Sequence, residues 1–210
     1  MKTLLLAASL TCFAALPLQA QVNAAVRDTA LRSFLGIRSV GSSAPIADTT
    51  VSGFATVLVF KDGKFWKRLA DAPLLPNLGQ TPIALGNAKA GYAPATAQVE
   101  FLWGPRDGKV GYLFQARIGD GGLVPKFHEM PELAALNTLY SDAYRGPNPP
   151  QFHGMSVMGA AYTLNKPPQG EDIEACIKAA DLAVVVLFKT FESRDDAVAF
   201  GKAWEQQFPK

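Results

Sequence analysis

Residues 56–69 read Thr-Val-Leu-Val-Phe-Lys-Asp-Gly-Lys-Phe-Trp-Lys-Arg-Leu, and this stretch sets the first expectation for the fold. Two runs rich in β-branched and aromatic residues flank Asp62-Gly63, a pair that tolerates the positive backbone angles of a tight hairpin turn. Residues 99–118 repeat the plan, with a turn at 104–109 followed by alternating apolar residues at 110–118. The sequence therefore predicts two β-hairpins.

The rest of the chain predicts helices and further strands around these hairpins. Periodic apolar residues favour a helix at 22–35 that ends at Gly36, and residues 39–52 are rich in Ser, Pro and Thr, as is typical of a loop. A longer Pro- and Gly-rich stretch at 70–97 is typical of a covering loop or flap, although a short strand at 83–85 fits equally well. The later expected elements are a helix at 131–145, a strand at 155–164, a helix at 171–180, a strand at 182–191 and a terminal helix capped by Ser193.

This order of elements is that of an α+β protein. We expect a single domain over residues 21–210, with an antiparallel or mixed sheet built from the two β-hairpins plus the C-terminal strands. The helices are expected to pack mainly on one face of that sheet. On the terminal helix, the apolar spacing places Trp204 at the centre of the buried stripe.

The first twenty residues predict export. Lys2 precedes an apolar run from Leu4 to Leu16, which has the length of a signal-peptide core and is too short to span a bilayer. Pro17 ends the run, and Ala20 is the nearest small residue for cleavage, with Ala24 as an alternative. The sequence thus predicts a signal peptide at 1–20 and a periplasmic or secreted protein that begins at Gln21.

Composition narrows the classes of partner. The formal net charge of the whole chain is +2, and the Lys and Arg residues are interspersed with Asp and Glu, so a nucleic-acid-binding function is not expected. No membrane span is expected after signal cleavage, because no later apolar run approaches about 20 residues. Cleavage also removes Cys12 and leaves Cys176 as the single cysteine, which rules out an internal disulfide. The spacing of its neighbours predicts that Cys176 is a buried structural thiol.

One repeated pattern carries chemistry. Residues 125–130 read Pro-Lys-Phe-His-Glu-Met and residues 150–155 read Pro-Gln-Phe-His-Gly-Met, so that P-x-F-H-x-M occurs twice, 25 residues apart. Both histidines of the chain lie in this pattern. Imidazole and thioether groups together suit Cu(I) in an exported protein. The candidate metal ligands are His128, Met130, His153 and Met155. On the alternative interpretation these residues only pack, with Phe127 and Phe152 as core anchors.

Three functional interpretations remain open from the sequence. The leading one is an exported, non-catalytic binding or accessory protein of a bacterial-type cell envelope, whose Cu(I) site would be the repeated pattern and whose partner would be another envelope or secreted protein. A second is a protein-binding module of the inhibitor or immunity type. A third is a secreted hydrolase that uses His128 or His153 as its base. The common catalytic signatures are absent from the sequence, and this disfavours the third.

Overall fold

The computed structural model describes residues 31–47, 49–74, 96–118, 121–122, 125–136, 138–140, 149–164 and 172–210. The signal peptide predicted at 1–20, the beginning of the helix predicted at 22–35 and residues 75–95 of the Pro- and Gly-rich stretch lie outside these residues. Contacts divide the chain into two units, Met1–Arg38 and Ser39–Lys210. The single domain expected over 21–210 stays a prediction, because most of the first unit lies outside the described residues.

In the first unit, residues 31–34 form the described end of helix α1. Gly36 has a φ of +68°, as the sequence predicts for a left-handed cap. Two backbone hydrogen bonds close the helix, from Ile37 N–H to Arg32 C=O and from Gly36 N–H to Ser33 C=O. Together they form a Schellman motif, in which the last carbonyls of the helix find donors.

The larger β-sheet contains the first predicted hairpin and both C-terminal strands. Its paired strands run antiparallel, and Leu182 to Phe191 pairs along its whole length with Lys61 to Ser52. The predicted strands at 155–164 and 182–191 are confirmed. In order across the sheet, the strands are β3 (Lys64–Leu74), β2 (Ser52–Lys61), β11 (Leu182–Phe191), β10 (Met155–Tyr162) and β8 (Thr138–Tyr140), with β9 (Gln151–Phe152) also paired to β10.

The second predicted hairpin lies in a separate, smaller β-sheet. The expectation of one sheet built from both hairpins is therefore wrong. The physical reason is that β2 and β11 are buried on both faces, so each face of the larger sheet needs a covering layer. The strands of the smaller sheet are, in order, β1 (Arg38–Pro45), β4 (Thr96–Arg106), β5 (Lys109–Ile118) and β6 (Gly121–Gly122), with β7 (His128–Glu129) also paired to β5.

The loop predicted at 39–52 is also corrected, because its first half, residues 39–45, lies in β1. Small residues let this strand pass close to its neighbours. A Cβ on Gly41 would collide with the carbonyl oxygen of Val99, and a Cβ on Gly159 would lie 2.7 Å from the nitrogen of Gly41. Gly41 and Gly159 therefore serve close backbone approach between strands.

The helix predicted at 131–145 is wrong for the part that the structure describes. A short 3-10 helix covers Pro131–Ala135, and the chain then extends at Leu136 and forms β8 against β10. Leu133 and Leu136 are both buried between the two sheets. Tertiary packing and strand pairing therefore override the helical spacing of the leucines.

Helices α2 (Ile173–Ala179) and α3 (Arg194–Gln207) confirm the two C-terminal helix predictions. The carboxylate of Asp172 caps α2 by accepting from the backbone N–H groups of Glu174 and Ala175. The hydroxyl of Ser193 caps α3 by accepting from the N–H of Asp196. Both helices pack on the larger sheet, opposite the smaller sheet.

The second unit thus has three layers, namely the smaller sheet, the larger sheet and the two helices. One apolar cluster, the inter-sheet cluster, fills the space between the sheets and includes Val57, Phe101 and Val186. The other, the sheet–helix cluster, includes Leu58, Cys176 and Trp204. Among the described residues, every helix is too short or too polar to cross a bilayer.

Candidate functional site

The first P-x-F-H-x-M segment lies along the edge of the smaller sheet. His128 pairs with Tyr112 across β7 and β5, and the N–H of Met130 donates to the carbonyl of Val110 at 2.9 Å. The imidazole stacks on the ring of Tyr112, with centroids 5.2 Å apart and planes 20° apart. His128 is exposed, whereas Met130 is buried in the inter-sheet cluster.

A glycine on the neighbouring strand allows this segment to dock. A Cβ on Gly111 would collide with the carbonyl oxygen of His128 and would lie 2.6 Å from the ring of Phe127. The guanidinium of Arg106 covers the same phenyl ring at 5.4 Å from its centroid. Phe127 therefore lies against the surface of β5. The packing interpretation expected it to be a core anchor, and that expectation is wrong for this residue.

The second segment forms a tight turn between β9 and β10. His153 has a φ of +50° and Gly154 a φ of +74°. The imidazole packs edge-on against Phe152 and Phe208, at centroid distances of 4.4 and 5.1 Å. Its Nδ1 lies 2.8 Å from the side-chain nitrogen of Gln207 on α3. This histidine thus joins the turn to the end of the terminal helix.

The structure does not bring the two segments together. Met130 belongs to the inter-sheet cluster, and Met155 belongs to the sheet–helix cluster, so the larger sheet separates the two thioethers. Within the described ranges, no three His, Cys, Asp or Glu residues form a group that could hold a metal ion. His128 is close to Met130 in sequence, and His153 is close to Met155, but the four residues do not converge on one site.

Cys176 lies on the buried face of α2, as the sequence predicts. Burial raises the pKa of its thiol, and the nearby carboxylate of Asp172 raises it further, while a hydrogen bond with Tyr162 lowers it. A thiol that stays protonated is a poor nucleophile. The geometry supports a structural role.

A different candidate site lies at the tips of the two hairpins. Each tip has two residues with positive φ, which are Asp62 and Gly63 in the first hairpin and Asp107 and Gly108 in the second. Values between +50° and +78° at both positions are those of the type I′ turn, which matches the twist of the flanking strands. The local sequence therefore determines a sharp turn at the tip of each hairpin.

Two cross-sheet contacts show that both tips lie at the same end of the sandwich. The hydroxyl of Tyr112 donates to the carbonyl oxygen of Leu69 at 3.1 Å, which places the first half of β5 beside the middle of β3. A Cβ on Gly53 would lie 2.7 Å from Cδ1 of Ile118. Gly53 pairs with Leu74, so the far ends of the two strands are also level. β3 and β5 thus run in the same direction away from their turns.

We call residues 61–67 and 106–109 the hairpin-tip end. Its central feature is the partly buried ring of Trp66, which has the ammonium groups of Lys67 and Lys61 at 3.9 and 5.5 Å from its centroid. Lys64, which lies between Lys61 and Lys67 in the sequence, is exposed. Cations over an aromatic ring add cation–π attraction to the burial of the indole.

The other charges at this end are mostly paired. Arg106 lies 3.7 Å from Asp107, and Lys109 lies 2.7 Å from Glu129. The end of α2 is adjacent, since a Cβ on Gly63 would lie 3.2 Å from Cα of Lys178. Lys178 pairs with Glu174 at 3.8 Å. Within the described part of the chain, the three lysines around Trp66 have no ion-pair partner, and neither do two nearby carboxylates, Asp62 and Asp181.

Sequence reasoning found each hairpin but missed the hairpin-tip end. The signal available was the run Lys-Asp-Gly-Lys-Phe-Trp-Lys at 61–67, which surrounds one tryptophan with three lysines. The position of one hairpin relative to the other depends on packing between the two sheets. A local sequence pattern cannot predict that packing. Compared with protein families, with curated proteins and with solved structures, the chain shows no match.

Proposed function

We propose that the protein is an exported, non-catalytic binding protein of the cell envelope whose contact surface is the hairpin-tip end. The observation that carries the proposal is the position of both tips at one end of the fold, where the ammonium groups of Lys67 and Lys61 lie over the ring of Trp66. Tryptophan is common at the centres of binding surfaces, and polar groups surround such centres at the rim. The predicted signal peptide supports the envelope as the compartment.

The compartment is tested by expressing the full gene in a bacterial host and measuring the intact mass of the product in each fraction. We expect a periplasmic or secreted product that begins at Gln21. A product in the cytoplasm that retains residues 1–20 would contradict export. Lipid on Cys12 would contradict cleavage before Gln21.

The contact surface is tested by placing a photoreactive amino acid at position 64 or at position 117. Arg117 lies next to Ile118, at the opposite end of the smaller sheet from the tips. We expect partner adducts from position 64 in cells and few or none from position 117. Equal adducts from both positions, or adducts from position 117 alone, would contradict this surface.

Binding of Cu(I) stays a separate proposal. It is supported by the sequence pattern and by the extended backbone of β7, whereas the burial of Met130 and Met155 in different clusters weighs against one shared site. A competition titration of Cu(I) against a coloured chelator tests it, with wild type compared with the double variant His128→Ala, His153→Ala. Stronger binding by wild type supports the metal site, and equal binding contradicts it.

The hydrolase interpretation gains no support from the described histidines. Nδ1 of His153 faces the amide of Gln207, and His128 stacks on Tyr112. A general base in a hydrolase is oriented by a carboxylate or a comparable acceptor and faces a substrate. The contacts of both histidines are instead those of side chains that hold neighbouring elements together.

A further inference from the structure

We propose that the hairpin-tip end binds the surface of a bilayer that contains anionic phospholipid. This inference rests on the proposed function, because it names the partner of the same site. The contacting groups are the three lysines at positions 61, 64 and 67 and the indole of Trp66. Lysines near an anionic membrane surface and tryptophan at the headgroup level each contribute to such binding.

The shape of the site favours a flat partner. Both turns lie at the same end of the two sheets, which is the arrangement that a flat partner needs to meet both. An acidic sugar chain would instead use the indole as a stacking platform. The ammonium group of Lys67 already lies 3.9 Å from the centroid of that ring and occupies one of its faces. Phosphate groups, in contrast, need only reach the ammonium groups beside the ring.

The charge of the site predicts weak binding that depends on salt. Three lysines face two carboxylates that have no ion pair among the described residues, Asp62 and Asp181. The local excess of positive charge is therefore small, and neutral lipid alone should not hold the protein. Each lysine near an anionic surface changes the affinity by about fivefold, so removing all three should weaken binding on the order of a hundredfold.

Fluorescence offers a direct readout of this contact. The chain contains three tryptophans, of which Trp103 and Trp204 are 4% and 2% exposed and only Trp66 is partly accessible. Bromine atoms on the acyl chains of a lipid quench an indole that reaches them. Residues 1–20 contain no tryptophan, and a retained leader would tether the chain to neutral and anionic vesicles alike, so quenching that requires anionic lipid does not come from the leader.

The experiment titrates the protein, as it is recovered from cells, with vesicles of brominated phosphatidylcholine with or without about 30% phosphatidylglycerol. We expect quenching of Trp66 only with the anionic vesicles, and its loss in about 0.5 M salt. The variant Lys61→Gln, Lys64→Gln, Lys67→Gln should need on the order of a hundred times more lipid. A matched control is Arg117→Gln, Arg194→Gln, Lys202→Gln, which removes the same charge elsewhere and should titrate like wild type. Urea unfolding of both variants verifies that they fold.

Each opposite result overturns the inference. Absence of quenching by anionic vesicles at low salt excludes the bilayer, and equal quenching of the triple lysine variant excludes the lysines as the contact. A fluorescence change with a soluble acidic polysaccharide but not with vesicles would assign the site to a glycan. Retention of residues 1–20 in the intact mass would contradict export while leaving the lipid result valid, so the two proposals fail separately.

Discussion

The hydroxyl of Tyr112 donates a hydrogen bond to the carbonyl oxygen of Leu69, 3.1 Å away, and this bond joins the two sheets. Tyr112 is 6% exposed, so the polar group at its tip lies inside a mainly apolar interface. Leu69 lies on β3, the edge strand of the larger sheet, and its carbonyl accepts the hydrogen bond of Tyr112. A backbone carbonyl at this interface needs such a donor. Together with the approach of Gly53 to Ile118, this contact places the hairpin tips at a common end.

Replacing Tyr112 with Phe should therefore lower the free energy of unfolding by about 1 to 2 kcal/mol, because a partly buried carbonyl loses its donor. Urea unfolding of the variant measures this. Gln115→Ala is the matched control on the same strand, since Gln115 is exposed, and its effect should be less than about 0.5 kcal/mol. Equal stability of wild type and Tyr112→Phe would show that the bond is not formed in solution.

Trp204 should be the most costly side chain of α3 to remove. Its ring packs against Phe208, Phe200 and Phe54 at centroid distances of 4.5, 5.5 and 6.3 Å. Trp204→Ala should lower the free energy of unfolding by roughly 3 to 5 kcal/mol. Val198, which is 57% exposed on the same helix, provides the control, since Val198→Ala should cost less than about 0.5 kcal/mol. A change below about 1 kcal/mol at Trp204 would contradict the packing of α3.

Two glycines should respond in opposite directions to a single methyl group. Gly111→Ala places a Cβ against the backbone of His128, so it should destabilise the protein by about 1 to 3 kcal/mol or detach the segment 125–130. Gly201 lies within α3, and a Cβ there would point into open space, so Gly201→Ala should stabilise by about 0.5 to 1 kcal/mol. Thermal unfolding and amide exchange at residues 125–130 measure both effects. Unchanged exchange and stability in Gly111→Ala would contradict the docking of β7.

The buried thiol should make stability depend on alkaline pH. Because burial raises the pKa of Cys176, the unfolded chain releases this proton at a lower pH than the folded chain does. The stabilising contribution is complete below the unfolded pKa, near 8.5, and is lost as the pH rises above it. Between about pH 7 and 9.5 the free energy of unfolding should fall more steeply in wild type than in Cys176→Ala. Native protein should also react slowly with thiol reagents, and rapid stoichiometric labelling would contradict the burial of this group.

The sequence by itself determined the local elements. Asp-Gly pairs specified both hairpin turns, the capping residue Ser193 specified the start of α3, and Gly36 specified the end of α1. These predictions succeeded because each depends on backbone angles and hydrogen bonds within a few residues. The buried faces of α2 and α3 could also be read from helical spacing.

Only the tertiary structure decided how these elements combine. The two hairpins separate into different sheets because β2 and β11 are buried on both faces, and the leucines at 133 and 136 enter a core between sheets instead of lining a long helix. The repeated P-x-F-H-x-M segments diverge for the same reason, since the larger sheet lies between Met130 and Met155. The hairpin-tip end likewise depends on the contact of Tyr112 with Leu69, residues 43 positions apart. Such long-range packing depends on which apolar surfaces are buried against each other. A local sequence pattern does not determine which distant element will cover a given surface.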